Sequence, residues 1–230
     1  MIAVGRRVGS IDPSLEGFDN ILCLTKSTPY GSLSPYVLTN EVTLSNGFKI
    51  NANLENIWQF SKLYPVVNES IQRKSKFDST IIWNHPFEVH IKDGVIQKEY
   101  WLWRDKGFIT KEPIRYPVGF NDRAKCICSL HFENGQWEFL NYIDSRKKTY
   151  LPNYLKSLDN LHVKSDGYKK LNALRDKLKN GKNILIIEVD GPHYESLNYY
   201  KEKYSVDDDF ILPHNMSIID KNKIGYFLKR

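Results

Sequence analysis

The chain has 230 residues, 41% of them hydrophobic and 13% aromatic, and a formal net charge of +6. This composition excludes a disordered or collagen-like chain, and the length fits one domain. No apolar run approaches the roughly 20 residues of a membrane helix, and residues 1–5 lack the basic start of a secretory signal. The three cysteines fit a reducing compartment. We therefore expect a cytoplasmic protein, in the host cytoplasm if the chain is viral.

Short strands are predicted over residues 2–8 and 21–25. They are followed by Gly31-Ser-Leu-Ser-Pro-Tyr36, whose glycine, serines and proline predict a turn. Two further strands, residues 37–44 and 48–50, flank Ser45-Asn-Gly47. Because Asn-Gly is a strong hairpin signal, these strands are predicted to pair with each other.

A central helix is predicted over residues 51–64, with an asparagine N-cap and Pro65 as its limit. One face is apolar and has the helical spacing i, i+3, i+4: Leu54, Ile57 and Trp58. A second face is polar, with the spacing i, i+4, i+7: Glu55, Gln59 and Lys62. This polar face is either a solvated surface with a weak Glu55–Lys62 pair or the wall of a pocket.

The middle of the chain is predicted to be rich in strands. Residues 69–77 are basic and predict a helix tail or an exposed loop, while residues 80–83, 88–91 and 95–103 predict strands. In the last of these, Trp101 and Trp103 alternate and would share one face. His85 and His90 have no evident partner motif, so the sequence assigns neither as a metal ligand.

Residues 107–125 predict a long loop, in which Arg115 is a candidate for binding phosphate. Cys126 and Cys128 follow on one side of a predicted strand, close to His131. No second ligand cluster with zinc spacing accompanies them, so we predict that they bind no metal.

Residues 136–148 predict the start of a helix, and further helices are predicted over 155–161, 167–180 and 195–204. Residues 183–190 predict a buried strand that ends in Glu188 and Asp190. Carboxylates at the end of so apolar a run are costly to bury without a partner or a wet cavity. We therefore expect one of them to reach the pocket that Glu55 lines.

Three motifs resemble the NADAR family: Leu33-Ser-Pro-Tyr36, the strand that Gly47 opens, and Glu55-x-x-x-Gln59-x-x-Lys62. Members of this family are N-glycosidases of ribosylated substrates, including phosphoribosylated intermediates of riboflavin synthesis and ADP-ribosylated guanine bases. The stretch from Tyr142 to Tyr154, with its word Tyr-Ile-x-x-Arg-Lys-x-x-Tyr-Leu-Pro, resembles an uncharacterised group of bacterial and phage proteins.

The resemblance implies one NADAR-like α+β domain over residues 1–230, with mixed short strands around the central helix. It implies an N-glycosidase without a cofactor or metal, acting on a phosphate-bearing small molecule or a modified nucleic acid. The implied catalytic carboxylates are Glu55 and Asp190. The implied substrate-binding residues are Tyr36 or Trp58 as an aromatic shelf, Gln59 for a hydroxyl, Lys62, Arg115 and Arg146 for phosphate, and Glu188. The family's motif of an acidic residue followed by Trp-Gly, near the C-terminus, is missing. A degenerate protein that binds the substrate without cleaving it is therefore an open alternative.

Two other functions stay open. The string from Ile187 to His193 resembles the Glu-x-Asp-Gly stretch of Vsr-like nucleases, in which Glu188 and Asp190 would bind Mg²⁺. A non-enzymatic viral structural or adaptor protein also fits the basic charge and the aromatic content. Activity in the presence of EDTA would separate the two enzymes, while the oligomeric state is not indicated by the sequence.

Overall fold

A computed structural model of the chain describes residues 2–6, 14, 16–23, 28–188 and 216–217. It is an α+β fold of short strands and helices, as expected. The chain forms two compact units: residues 1–38 with 155–230, and residues 39–154. The predicted helix 195–204 and Asp190 lie outside the described residues.

The first unit is built on a four-stranded sheet. Its strands are β1 (Ile2–Arg6), β2 (Phe18–Leu22), β14 (Asn183–Glu188) and β15 (Met216–Ser217), in the order β15-β1-β14-β2. The strand β14 is parallel to both neighbours, whereas β15 runs antiparallel to β1. Ile184, Leu185 and Ile187 have no exposed surface, which agrees with the predicted buried strand.

Helix α5 (Asp166–Lys179) also belongs to the first unit and agrees with the predicted helix 167–180. The Ser165 side chain accepts a hydrogen bond from the Tyr168 backbone N–H, an N-cap. The helix stops where Gly181 adopts a φ of 76°, a conformation that favours glycine. Leu171 and Leu174 are its buried side chains.

The second unit begins with the hairpin of β3 (Thr39–Thr43) and β4 (Lys49–Asn53), which turns at Gly47 with a φ of 86°. Helix α1 (Leu54–Phe60) follows directly, and the Asn53 side chain caps it by accepting from the Glu55 N–H. All seven residues of α1 are buried. The helix is thus the core element that the sequence predicted.

The predicted helix bounds, 51–64, are wrong at both ends. The first three of these residues belong to β4, where they pair with residues 39–41. At the other end, β5 (Lys62–Leu63) pairs with residues 128–129 of β12 (Cys128–Glu133). Ladder pairing satisfies the backbone groups at both ends, so the apolar periodicity alone overestimated the helix.

Around α1 lies a set of short strands: β6 (Val66–Val67), β7 (Ser70–Ser75), β8 (Asp78–His85), β9 (Glu88–Val89), β10 (Ile91–Lys92), β11 (Val95–Ile96) and β13 (Gln136–Leu140). They form two-stranded ladders, β6 with β9, β7 with β8 and β10 with β11, and a three-stranded sheet β13-β12-β5. Of the basic residues 69–77, predicted as a helix tail or loop, residues 70–75 instead form β7. Residues 136–140, predicted as helical, are β13.

The largest correction concerns helix α2 (Lys98–Ile109), which was predicted as part of a strand. Its buried residues are Tyr100, Trp103, Gly107 and Phe108, a helical spacing. Gly107 faces the Phe60 ring so closely that an added Cβ would lie 2.2 Å from it. Tertiary packing against α1 therefore overrides the alternation of Trp101 and Trp103.

A continuous helical segment of three parts follows β13. These are α3 (Tyr142–Ser145), a π-helical turn (Arg146–Tyr150) and α4 (Leu151–Asp159). Short 3₁₀ turns, Gly31–Leu33 and Asp122–Lys125, complete the described secondary structure.

Candidate functional site

The polar face of α1 forms one chain of hydrogen bonds. The Lys62 ammonium donates to Gln59 Oε1 at 2.8 Å, and Gln59 Nε2 donates to Glu55 Oε1, also at 2.8 Å. Glu55 has no exposed surface, Gln59 is 6% exposed and Lys62 is half-buried. The amide of Gln59 is therefore fixed between a carboxylate and a cation, with its oxygen toward Lys62 and its nitrogen toward Glu55.

Helix α1 places Trp58 beside this chain, in a basic and aromatic surrounding. The Lys62 ammonium lies 5.0 Å from the Trp58 ring centre and the Arg146 guanidinium 6.0 Å from it. The rings of Tyr142 and Tyr150 approach Trp58 edge-on, at 5.9 and 5.3 Å. Trp58 is 2% exposed. A substrate ring would therefore contact Trp58 only after these neighbours moved.

Arg146 is held by the π-helical turn at the end of the second unit. Its guanidinium stacks 4.5 Å from the Tyr150 ring centre, and the residue is buried. Single π-helical turns occur frequently at functional sites, since they displace one residue from the regular helix. The structure thus brings Arg146 and Tyr150 next to Trp58, while the phosphate-binding role of Arg146 stays a prediction.

The remaining predicted residues belong partly to the first and partly to the second unit. Arg115 is half-buried and its guanidinium lies 5.1 Å from the Tyr116 ring centre. Tyr36 is half-buried in the first unit, where its N–H donates to Ser34 Oγ at 3.3 Å. Glu188 ends β14 in that same unit. Because Asp190 lies outside the described residues, a pocket shared by both acids and Glu55 stays a prediction.

A cavity of about 460 Å³ opens on the opposite side of α1. Ile57 and Ser61 line it. Glu55 precedes Ile57 by two residues, which corresponds to a rotation of about 200° around the helix. The Glu55 side chain therefore points away from this cavity. The polar side chains of this cavity include Arg104, His131, Thr149 and Asn153.

Two side chains of this cavity are firmly held. The Arg104 guanidinium lies 4.4 Å from the Phe108 ring centre and 5.3 Å from that of Trp137, and burial lowers the pKa of Arg104. His131 Nδ1 is 3.1 Å from Thr149 Oγ1. The sequence did not single out Arg104, because its surroundings were interpreted as a strand rather than as α2.

Cys126 and Cys128 lie where β12 begins, and burial raises the pKa of both thiols, that of Cys128 to about 11. The Cys126 thiol is 3.3 Å from the Cys128 carbonyl oxygen, to which it donates. Thiols with raised pKa values are poor metal ligands, since the thiolate is the binding form. That Cys126, Cys128 and His131 bind no metal remains a prediction for elemental analysis.

A different cluster is assembled by His85, Glu88 and His90. His85 Nε2 lies 3.0 Å and His90 Nε2 3.5 Å from Glu88 Oε2. One ligand atom from each residue lies within 4.8 Å of the others. The histidines are 3% and 0% exposed, and Glu88 is 24% exposed. This cluster was not predicted from the sequence, although the spacing His-x-x-Glu-x-His is visible there.

The local chain path brings these three residues together. His85 is the last residue of β8, Pro86 bars the strand from continuing, and Glu88 begins β9. The His90 N–H then donates to the Pro65 carbonyl at 2.9 Å, which fixes the following turn. The Trp83 ring stacks on His85, with ring centres 5.5 Å apart and planes inclined by 12°.

Both imidazoles are neutral near pH 7. Burial lowers the pKa of His85 to about 4, and the charge of Lys106 acts in the same direction. For His90, burial also lowers the pKa to about 4, against the opposite effect of Glu88.

Comparison with known proteins adds no relative: no family model matches the chain, and no curated protein or solved structure is significantly similar. The resemblance to NADAR proteins therefore rests on the motifs quoted above. In the part of the chain that the structure describes, no helix has both the length and the apolar character needed to cross a membrane.

Proposed function

We propose that the chain is an N-glycosidase-type hydrolase that acts on a ribosylated or ADP-ribosylated nucleotide, base or related compound. The observation that carries the proposal is the buried carboxylate of Glu55, oriented by Gln59, which is itself bound by Lys62. Cleavage of a C1′–N bond builds positive charge on the ribose, and a fixed carboxylate stabilises that charge. Such substrates are water-soluble phosphates, so we place the activity in the cytoplasm.

Each residue near Glu55 has a role in this mechanism. Glu55 would face C1′ or activate the attacking water, and the base would leave with a proton from solvent or from a second acid. Lys62, being half-buried, is the cation that meets the substrate phosphate. Glu55 has no exposed surface, so binding must be accompanied by movement of the side chains that cover it.

The test is a hydrolysis assay with Glu55→Gln. Purified protein is incubated with phosphoribosylated aminopyrimidines, NAD and ADP-ribosylated DNA, and the released base is measured by liquid chromatography and mass spectrometry. We expect Glu55→Gln to lose at least about 100-fold in kcat, the scale of losing one charge-stabilising group. The amide oxygen at position 55 still accepts from Gln59, so the fold should persist.

The matched control is Glu41→Gln. Glu41 lies on the exposed edge of the hairpin and pairs with Lys49 at 3.0 Å, a surface contact worth less than about 1 kcal/mol. Its activity should equal that of the wild type. Full activity of folded Glu55→Gln protein would end the glycosidase proposal.

One observation favours the nuclease as the second candidate. Glu188 ends a strand that is parallel to both neighbours, and the carboxyl ends of parallel strands are a preferred place for sites. DNA cleavage that requires Mg²⁺ and is lost in Glu188→Gln would select this function. Such a result would also require that Glu55→Gln protein remain active on DNA.

A further inference from the structure

The cluster of His85, Glu88 and His90 has no part in the proposed glycosidase mechanism. We propose that these three side chains bind a divalent transition-metal ion, with Zn²⁺ as the ion that the donor set fits best. The site lies entirely in the second unit and would bind through His85 Nε2, His90 Nε2 and Glu88 Oε2.

The spacing of the three atoms fits an ion placed between them. A zinc ion with bonds of about 2.1 Å holds tetrahedral ligand atoms about 3.4 Å apart. The two separations from Glu88 Oε2, 3.0 and 3.5 Å, lie on either side of that value. These two separations need little change for coordination, and the ligand atoms of the three residues all lie within 4.8 Å of one another.

The polar atoms also lack other partners. Within the described residues, neither ring nitrogen of either histidine nor Glu88 Oε2 has a hydrogen-bond partner outside the cluster, and inside it the Nε2 atoms face Glu88 Oε2 at 3.0 and 3.5 Å. Leaving buried polar atoms without partners costs about 1–3 kcal/mol for each group. An ion would satisfy both Nε2 atoms and Oε2 at once. The two Nδ1 atoms gain no partner from the ion, so they favour neither the metal-bound nor the metal-free form.

The donor types select the ion. Imidazole nitrogen suits zinc, copper, nickel and cobalt, whereas magnesium and calcium prefer oxygen ligands throughout. Two histidines and one glutamate leave a fourth tetrahedral position for water. Glu88 is the partly exposed member of the cluster and marks the side from which the ion enters.

The alternative is a structural cluster in which two neutral imidazoles pack beside one carboxylate. It predicts the same distances but no metal affinity. Direct metal titration of the folded wild-type chain separates the two, whatever the glycosidase assay shows.

The experiment uses full-length protein without an affinity tag, stripped with EDTA and dialysed. Zn²⁺ is titrated by calorimetry and Co²⁺ by visible absorption, and bound zinc is counted by mass spectrometry. We expect one ion per chain and the intense visible bands of tetrahedral Co²⁺. X-ray absorption of the zinc form should report two imidazole ligands.

Glu88→Gln is the main variant because it preserves side-chain volume and is partly exposed. It should weaken Zn²⁺ binding at least tenfold while the circular dichroism spectrum stays unchanged. The matched controls are His162→Gln, at an exposed histidine, and Glu41→Gln, and both should bind as the wild type does.

Several results would overturn the proposal. These are the absence of stoichiometric binding to the folded wild type, equal affinity in Glu88→Gln, or an absorption spectrum without two imidazoles. If Glu88→Gln fails to fold, the wild-type titration and the ligand count still decide the matter.

Discussion

The second unit buries two carboxylates in opposite ways. Glu55 is joined to Gln59 and Lys62 by a chain of two hydrogen bonds of 2.8 Å each. Glu88 instead faces two imidazoles, whose Nε2 atoms lie 3.0 and 3.5 Å from its Oε2. Burying a carboxylate is costly, and the cost is offset either by internal donors or by a bound cation. The first cluster is joined by hydrogen bonds within the chain, while the second is the site at which we propose an ion.

Helix α2 joins the two clusters. Trp103 lies 4.6 Å from the Phe60 ring of α1 and 5.2 Å from the His90 ring, measured between ring centres. The Tyr100 hydroxyl donates to the Ser61 carbonyl at 3.3 Å, just beyond α1. Changes in α2 should therefore affect both clusters, whereas changes within one cluster should leave the other intact.

The largest effect is expected from Gly107→Ala, which should damage both clusters. The new methyl group would lie 2.2 Å from the Phe60 ring, so α2 must move away from α1. We expect a loss of about 3 kcal/mol in the free energy of unfolding, measured in urea, the upper part of the range for overpacking. Leu102→Ala, at an exposed position of the same helix, should change it by less than about 0.5 kcal/mol. Equal stability of the two variants would contradict the close helix contact.

Zinc should stabilise variants of the first cluster but not variants of the second. At a free concentration of 100 times Kd, a ligand that binds only the folded state stabilises it by about 2.7 kcal/mol. We expect this gain in the wild type and in Glu55→Gln, but a much smaller one in Glu88→Gln. Thermal melts with and without EDTA measure it. An identical gain in Glu88→Gln would place the ion elsewhere.

Lys62→Met should affect the first cluster alone. The change removes the donor to Gln59 Oε1, a nearly buried acceptor. The expected loss is about 1.5 kcal/mol in the free energy of unfolding, typical of a hydrogen bond to a charged group. Zinc affinity should not change. Lys49→Met serves as the control because Lys49 is exposed and pairs only across the hairpin surface, so it should cost less than Lys62→Met.

The smallest effect is expected from Asn53→Ala, which removes the N-cap of α1. It should cost about 1 kcal/mol and lower glycosidase activity, because α1 sets the orientation of Glu55. Ser165→Ala removes the N-cap of α5 in the first unit. It should cost a similar amount without changing zinc binding or the activity attributed to Glu55. A larger activity loss in Ser165→Ala would contradict this separation.

The sequence alone determined the features that depend on neighbours along the chain. Asn46-Gly47 specified the first hairpin because its glycine adopts a positive φ, and the i, i+4 spacing of Glu55 and Gln59 placed them on one face. Residues 134–135 are also Asn-Gly, and both have positive φ angles. The same rule would therefore have predicted the β12–β13 hairpin at this position, where a helix was predicted.

Only the tertiary structure decided which short apolar segments became helix or strand. Residues 98–109 formed α2 because Gly107 admits the Phe60 ring, a contact between residues 47 positions apart in the chain. Likewise, Lys62 lies in β5 rather than in α1 because it pairs with Ser129, yet its ammonium still donates to Gln59. The spacing of His85, Glu88 and His90 is visible in the sequence. Their burial beside Trp83 and Trp103 is not, because burial depends on residues that the fold brings together from other elements.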